Sequence, residues 1–86
     1  MLEKIHERIS VLTSYNRDKG EITIHKVRWN GRDYKITKMG YHHKERSGRN
    51  IFHIFHVNND SVAFKLELDT EQLTWWVLEV SDGNPN

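Results

Sequence analysis

Apolar and polar residues alternate along much of this chain with a period of two, which is typical of β-strands. The clearest case runs from Val62 to Asp69, where every second residue from Val62 to Leu68 is large and apolar. Such a segment predicts a strand that buries one face and exposes the other. The same pattern, bounded by polar turns, predicts six strands, over residues 8–15, 21–29, 32–41, 51–57, 62–69 and 73–80.

The dipeptide Asn30-Gly31 is the strongest turn signal in the sequence. A two-residue type I′ turn requires a positive φ at both central positions, and asparagine and glycine tolerate that conformation at the least cost. Large apolar residues flank the dipeptide on both sides, among them Val27, Trp29 and Tyr34. We therefore expect a tight antiparallel hairpin centred on this dipeptide.

The second predicted strand changes phase part of the way along. Ile22 and Ile24 share one face of an extended chain, whereas Val27 and Trp29 have the opposite parity. Both pairs can face the core only if one extra residue intervenes between them. A β-bulge near residues 25–26 would supply that residue and would bend the strand.

The third predicted strand shows the same change of phase. Tyr34 and Ile36 have one parity and Met39 has the other, which predicts a bulge or bend near residues 37–38 or at Gly40. Two paired strands that both bend midway favour a strongly coiled sheet. We therefore predict an all-β fold: a single small, strongly curved antiparallel meander of about six strands, SH3-like or a small barrel.

Three segments fall outside these strands, although the whole chain of 86 residues is expected to form one domain. Residues 2–12 fit both a helical and an extended pattern, so we leave the conformation of the N-terminal segment open and expect residues 1–7 to form a poorly ordered lead-in. Residues 42–50 contain no apolar side chain and several basic ones, which predicts a mobile loop. Residues 81–86 contain the single proline and are expected to form a poorly ordered tail.

The composition excludes several classes of protein. There is no cysteine, which rules out disulfides, thiolate metal sites and a cysteine nucleophile. The N-terminal residues are charged, so no secretory signal is predicted. The longest apolar run, residues 75–78, is far too short to cross a membrane. We therefore expect a cytoplasmic protein that does not bind membranes.

Charge is distributed unevenly along the chain. Residues 1–49 hold 12 Lys and Arg against 6 Asp and Glu, a balance of +6, whereas residues 50–86 hold 1 against 6, a balance of −5. The two balances give the net charge of +1. The basic excess is greatest over residues 26–49, which predicts an anionic partner for that face. The alternative is that the two halves neutralise each other across adjacent strands.

Basic side chains interleaved with aromatic ones are typical of surfaces that bind nucleic acids, because cations contact phosphates and rings stack on bases. The sequence therefore predicts a non-enzymatic module that binds single-stranded DNA or RNA. The candidate binding residues within 26–49 are Arg28, Trp29, Arg32, Lys35, Lys38, Tyr41, Lys44, Arg46 and Arg49. The alternative for the aromatic residues is burial in the core.

A protein contact is the second function that the sequence predicts. Trp75 and Trp76 are adjacent in the last strand, so one indole faces the core and the other faces outward. An outward tryptophan on an edge strand would suit a protein–protein interaction or an accessory role, including formation of a homodimer. The alternative is that the outer indole covers a small second layer, such as the N-terminal segment.

Neither catalysis nor a cofactor is predicted. Ser47 lies near His43 in the sequence, but no third group is placed to orient the base that a nucleophile needs. Six histidines invite a metal hypothesis, for example through His25, His43 and His53, yet no carboxylate lies at a diagnostic spacing. We therefore predict no catalytic residue and no metal ligand.

Part of the chain resembles an uncharacterised small bacterial β-domain. The run V-R-W-N-G-R-D-Y-K-I at residues 27–36 is followed by F-K-L-E-L-D at residues 64–69 and W-V-L-E-V at residues 76–80. In that family a W-x-G-R-x-Y hairpin precedes a strand ending in a polar turn and a closing tryptophan strand. The resemblance covers about residues 20–80, without a counterpart for the basic segment 42–50. It implies an accessory domain, sometimes encoded near DNA-repair polymerases, with no established activity.

Overall fold

The computed structural model describes residues 2–82, which form one sheet of seven antiparallel strands. The strands are β1 (Glu3–Asn16), β2 (Glu21–Trp29), β3 (Arg32–Lys35), β4 (Lys38–Ser47), β5 (Asn50–Asn58), β6 (Val62–Asp69) and β7 (Thr74–Asp82). The prediction of an all-β antiparallel fold is confirmed. Among residues 2–82, no helix reaches the length and apolarity that a membrane crossing requires.

The sheet is curved but not closed. Its strand order is β3-β2-β1-β7-β6-β5-β4, so each strand lies beside a neighbour in sequence and β1 also pairs with β7. A closed barrel would need one further ladder, between β3 and β4, and the described residues form none there. The predicted barrel is therefore matched only in part, because the two edge strands remain unpaired with each other.

The prediction of a single strand over residues 32–41 is wrong, because the chain changes its partner strand in the middle. β3 pairs with β2, whereas β4 pairs with β5 at the other edge of the sheet. At the crossing, the Ile36 N–H donates to the His25 carbonyl (2.9 Å) and the Thr37 N–H donates to the Asn58 carbonyl (3.1 Å). These two bonds hold the sheet edges near each other at this point.

The bulge predicted in β2 is present. Leu12 and Thr13 are consecutive in β1, but the residues opposite them in β2 are Lys26 and Ile24, so His25 is the extra residue. The insertion shifts the side-chain alternation by one position. For this reason β2 places residues of both parities on the same face.

The second predicted bulge lies in β4. The pairing with β5 shifts between Met39 and His42, which places Gly40 and Tyr41 opposite one residue, His56. A Cβ atom on Gly40 would lie 3.1 Å from the His56 carbonyl oxygen. Glycine is therefore favoured here, because the two backbones approach closely.

The predicted type I′ hairpin is confirmed. Asn30 has a φ of 57° and Gly31 a φ of 77°, both in the left-handed region. Trp29 and Arg32, on either side, lie directly opposite each other at the end of the β2–β3 ladder. The turn twists in the same sense as its strands, which is why this type joins two-residue hairpins.

The core lies on the concave side of the sheet, which we call the inner face; the convex side is the outer face. Its buried apolar residues are Ile24, Val27, Ile36, Phe55, Val57, Val62, Phe64, Leu66 and Val77. Trp75 packs against this core, with its ring centroid 5.5 Å from that of Phe55. Burial along β6 confirms that Val62, Phe64 and Leu66 point inward.

Segment boundaries differ from the prediction at three places. β1 begins at Glu3, so residues 3–7 are strand. Residues 42–47 were predicted to be loop but form the second half of β4, paired with β5. An edge strand with both faces near solvent needs no apolar residues, and the sequence pattern therefore did not indicate it. β7 extends to Asp82, and residues 83–86 of the predicted tail lie outside the described residues.

Candidate functional site

A cleft of about 520 Å³ opens where β2 and β4 diverge. β3 pairs only with residues 26–29 of β2, and β4 pairs only with β5. Residues 21–24 of β2 pair with β1 on one side only. Their other edge faces the outer edge of β4, and within residues 2–82 no strand lies between the two. The residues that line this β2–β4 cleft are Tyr15, Gly20, Glu21, Ile22, Thr23, Met39, Gly40, His42 and His53.

A methionine bridges the narrow end of the cleft. The Ile24 N–H donates to the Met39 Sδ atom over 3.4 Å. Ile24 is fully buried, and a buried N–H without an acceptor is unfavourable. The thioether is a weak acceptor that occupies the place a strand carbonyl would take in a closed barrel.

Two histidines form a coupled pair on the β4–β5 side of the cleft. His42 Nε2 lies 2.8 Å from His53 Nδ1, so one ring donates a hydrogen bond to the other. Both rings stack on Phe55, with centroid distances of 4.2 Å for His42 and 6.2 Å for His53. Their orientation is thus fixed by a buried aromatic residue as well as by each other.

The electrostatic surroundings favour the neutral form of both rings. Partial burial lowers the pKa of His42, and the nearby charges of His53, His43 and Lys44 lower it further. Partial burial also lowers the pKa of His53, and Lys44 adds to that shift. A hydrogen bond between two imidazoles requires a lone pair on one of them, which also disfavours double protonation.

The free energy of unfolding is expected to fall as the pH is lowered from about 7.5 to 5.5, because of this pair. Unfolded histidines titrate near 6.5, whereas the folded pKa values are lower. The unfolded chain therefore binds more protons in this range, and acid favours it. Urea unfolding at several pH values measures the slope, which His53→Gln should flatten. Equal slopes in the two proteins would contradict the assignment.

Cations continue along β4 from the histidine pair. Lys44 lies opposite His53, and Arg46 lies opposite Ile51, so both side chains follow His42 on the inner face. Both are exposed, and within residues 2–82 neither forms an ion pair with a carboxylate. Arg49 is exposed in the turn that joins β4 to β5. The surface of β4 beside the cleft is therefore positively charged.

The other predicted cations lie elsewhere. Arg28 donates to Asp33 at 2.7 Å within the β2–β3 hairpin, and this hydrogen bond lowers the pKa of Asp33. Arg32 and Lys35 are exposed on β3, the opposite edge strand from β4. Lys38 is exposed at the first position of β4, beside the crossing. The fold thus divides the basic residues between two edges of the sheet.

The two aromatic residues of the predicted binding surface, Trp29 and Tyr41, also lie in different environments. Trp29 packs against Phe64 in an edge-to-face arrangement at 6.1 Å, and its Nε1–H donates to Glu7 at 2.8 Å. Tyr41 is 66% exposed and stacks on His43 at 4.9 Å. The alternative of core packing therefore describes Trp29, whereas Tyr41 remains accessible.

Sequence reasoning missed the aromatic residues that line the cleft. Tyr15 is 66% exposed and lies opposite Ile22, on the inner face. The sequence predicts His42 in a loop, and it gives His53 no binding role beyond the metal hypothesis. The bulge at Gly40, which the sequence did indicate, puts His42 on the inner face beside Phe55. If β4 is taken to continue past residue 41, the change of side-chain parity at the Gly40 bulge identifies His42 as an inner-face residue.

The outer face carries a separate aromatic cluster. Trp76 stacks on His6 with centroids 4.3 Å apart, and the Arg8 guanidinium lies 5.5 Å from the indole centroid. The outer indole thus packs on side chains of β1, the neighbouring strand of the same sheet, and not on a second layer. β7 lies between β1 and β6, so the prediction that this tryptophan lies on an edge strand is wrong. Burial raises the pKa of Glu67, an effect that His6 opposes and that Asp69 and Glu45 reinforce.

Asp69 has a local structural role at the β6–β7 turn. Burial opposes ionisation of Asp69, but hydrogen bonds from the Asn50 amide and from the backbone N–H groups of Gln72 and Glu71 outweigh it and lower the pKa. The oxygen Oδ1 accepts all three bonds, at 3.0–3.2 Å. Asp69 thus caps the N–H groups of this turn.

Within residues 2–82, no group of three or more His, Asp or Glu side chains is arranged to hold a metal ion. The β2–β4 cleft is therefore distinguished by its unpaired edges, its rings and its cations. No protein-family model, curated protein or solved structure significantly matches the chain.

Proposed function

We propose that this protein is a non-enzymatic module that binds single-stranded nucleic acid in the β2–β4 cleft. The observation that carries the proposal is a juxtaposition: exposed rings lie on both walls of the cleft, and beside it on β4 lie cations that form no ion pair with a carboxylate among residues 2–82. Open curved β-sheets offer such grooves to single strands, whose unstacked bases are accessible. The proposal covers DNA and RNA alike, because backbone phosphates and base faces are common to both.

Each part of the cleft has a chemical counterpart in a nucleotide. Tyr15 on one wall and His42 on the other offer ring faces on which bases can stack, a contact worth about 1–3 kcal/mol per base. Lys44 and Arg46 lie beyond the histidines and would contact phosphates. The narrow end closed by Met39 would limit how far a base enters.

The proposed footprint is smaller than the face of residues 26–49. Arg28 is already paired with Asp33, and Trp29 is packed on the core, so neither is free to contact a ligand. Lys44, Arg46 and Arg49 remain from that set beside the cleft and are joined by Tyr15. Tyr41 is exposed but does not line the cleft. Arg32 and Lys35 would contact only a strand long enough to reach the other edge of the sheet.

A protein contact is supported by one observation, the unpaired outer edge of β4. Unpaired edges can add a strand from another chain. Lys44 and Arg46 disfavour such pairing, since charged residues on an edge strand protect it. Trp76, the other expected anchor, is stacked on His6. Nucleic-acid binding is therefore the function we put first.

The Lys44→Ala/Arg46→Ala variant is expected to bind a labelled single-stranded 12-mer at least about tenfold more weakly at low salt. Two lost phosphate contacts should also reduce the slope of log K against log salt by about 1.4, at about 0.7 per phosphate for single strands. Fluorescence anisotropy at 50 and 200 mM salt, with oligo-dT and oligo-rU, measures both quantities. Tyr15→Ala should weaken binding while leaving the salt slope unchanged.

The matched control is Lys4→Ala/Lys26→Ala, which removes the same charge from exposed positions outside the cleft. Its affinity should stay within about twofold of the wild type if contacts in the cleft dominate. Equal losses in the two double variants would mean that general attraction, rather than the cleft, accounts for binding. An absence of wild-type binding at 50 mM salt would overturn the proposal.

A further inference from the structure

We propose that His42 and His53 form a two-histidine site for a divalent copper ion on the wall of the β2–β4 cleft. The observation is geometric: His42 Nε2 and His53 Nδ1, two potential ligand atoms, face each other at 2.8 Å. Imidazole nitrogen is a good ligand for copper, nickel and zinc. The site shares His42 with the proposed nucleic-acid site, but it needs neither the cations nor Tyr15 and can be tested without nucleic acid.

The donor set and the proximity of the two nitrogens indicate which metal would bind. The 2.8 Å between them is the length of a hydrogen bond in the metal-free protein, so the two rings lie within chelating distance of one ion. Imidazole nitrogens suit copper, nickel and zinc alike. Cu²⁺ is favoured because it binds most tightly in the usual order of divalent ions.

The rings are held in place for this role. Stacking on Phe55, which is fully buried, limits the reorientation that metal binding would require. The cleft in front of the pair has room for water molecules to fill the other coordination positions. Nearby charges have opposite effects on the binding of a dication. Lys44 repels the ion, whereas Glu21, on the other wall of the cleft, attracts it.

Copper binding to the two neutral rings releases no net proton at neutral pH. One of the two facing nitrogens carries a hydrogen in the free protein, and the other accepts it. Coordination requires a lone pair on both, so the donor ring must carry its hydrogen on its other nitrogen. Two neutral rings then bind one ion without net proton release. Protonation of either ring would displace the metal.

Calorimetric titration of the full chain with Cu²⁺, without nucleic acid, tests the site. We expect one equivalent bound, an affinity at least tenfold above that for Zn²⁺, and a paramagnetic resonance spectrum with splitting from two nitrogens. His42→Phe keeps a ring on Phe55 and should lower the affinity at least tenfold, as should His53→Gln. His25→Gln, outside the pair, is the control and should bind as the wild type does.

Unchanged copper affinity in both His42→Phe and His53→Gln, with each variant shown by circular dichroism to be folded, would overturn the proposal. Preference for Zn²⁺ over Cu²⁺ would likewise contradict the assignment of the metal. Failure of this titration leaves the oligonucleotide result unaffected, because no copper is added in that experiment.

Discussion

Replacing Phe55 with alanine is expected to lower the free energy of unfolding by about 3–5 kcal/mol, the usual range for a buried phenylalanine. Phe55 is 1% exposed and contacts Trp75 on one side and the histidine pair on the other. A loss of this size is a large part of the total stability of a small domain. Urea unfolding, followed by tryptophan fluorescence, measures it as a shift in midpoint.

The control for Phe55→Ala is Tyr15→Ala, which also removes a ring but from a side chain that is 66% exposed. Its effect should lie within about 0.5 kcal/mol, as for most surface substitutions. Phe55→Leu should recover much of the loss, since it refills most of the cavity. A loss below about 1 kcal/mol in Phe55→Ala would show that this ring does not support the cleft wall.

The second large effect is expected at the neighbouring residue, on the opposite face of the same strand. Ile54→Ala should lower the free energy of unfolding by about 2–5 kcal/mol, as for other buried isoleucines. Ile54 is 1% exposed, although it points away from the main core and lies opposite His43 and Glu67. Neighbouring side chains on the outer face therefore cover Ile54.

Leu12→Ala is the matched control for Ile54→Ala, because Leu12 is an aliphatic residue that is 57% exposed. Its loss should be below about 0.5 kcal/mol. Ile54→Val, which removes one methylene group, should fall between the two, at about 0.5–1.5 kcal/mol. Similar small values for Ile54→Ala and Leu12→Ala would mean that β5 is buried on one face only.

These two residues also show what pattern analysis can provide. The sequence predicts that β5 is apolar on both faces, and burial of Phe55 and Ile54 confirms it. It could not indicate what covers Ile54, because the residues opposite it in neighbouring strands are polar or charged. Side chains such as His43 and Glu67 exclude water through their position beside a strand, which their residue type does not reveal.

The candidate site was predictable only in part. Lys44 and Arg46 were selected from the charge excess of their segment, and they do lie on one face of one strand. Tyr15, His42 and His53 were not selected, since they come from three strands that meet only in the folded sheet. Trp29 was selected for its type, but its ring packs on the core and its Nε1–H is bonded to Glu7.

The sequence by itself determined the local features: the strands with an alternating pattern, the type I′ turn at Asn30-Gly31, and the bulges at His25 and Gly40. These follow from backbone conformations and side-chain parity within a few residues. Only the tertiary structure decided that the chain changes partner at Ile36 and Thr37, which leaves β2 and β4 apart and opens the cleft. Strand partners depend on how distant segments pack around a shared core, and a polar edge strand carries no pattern that specifies its neighbour.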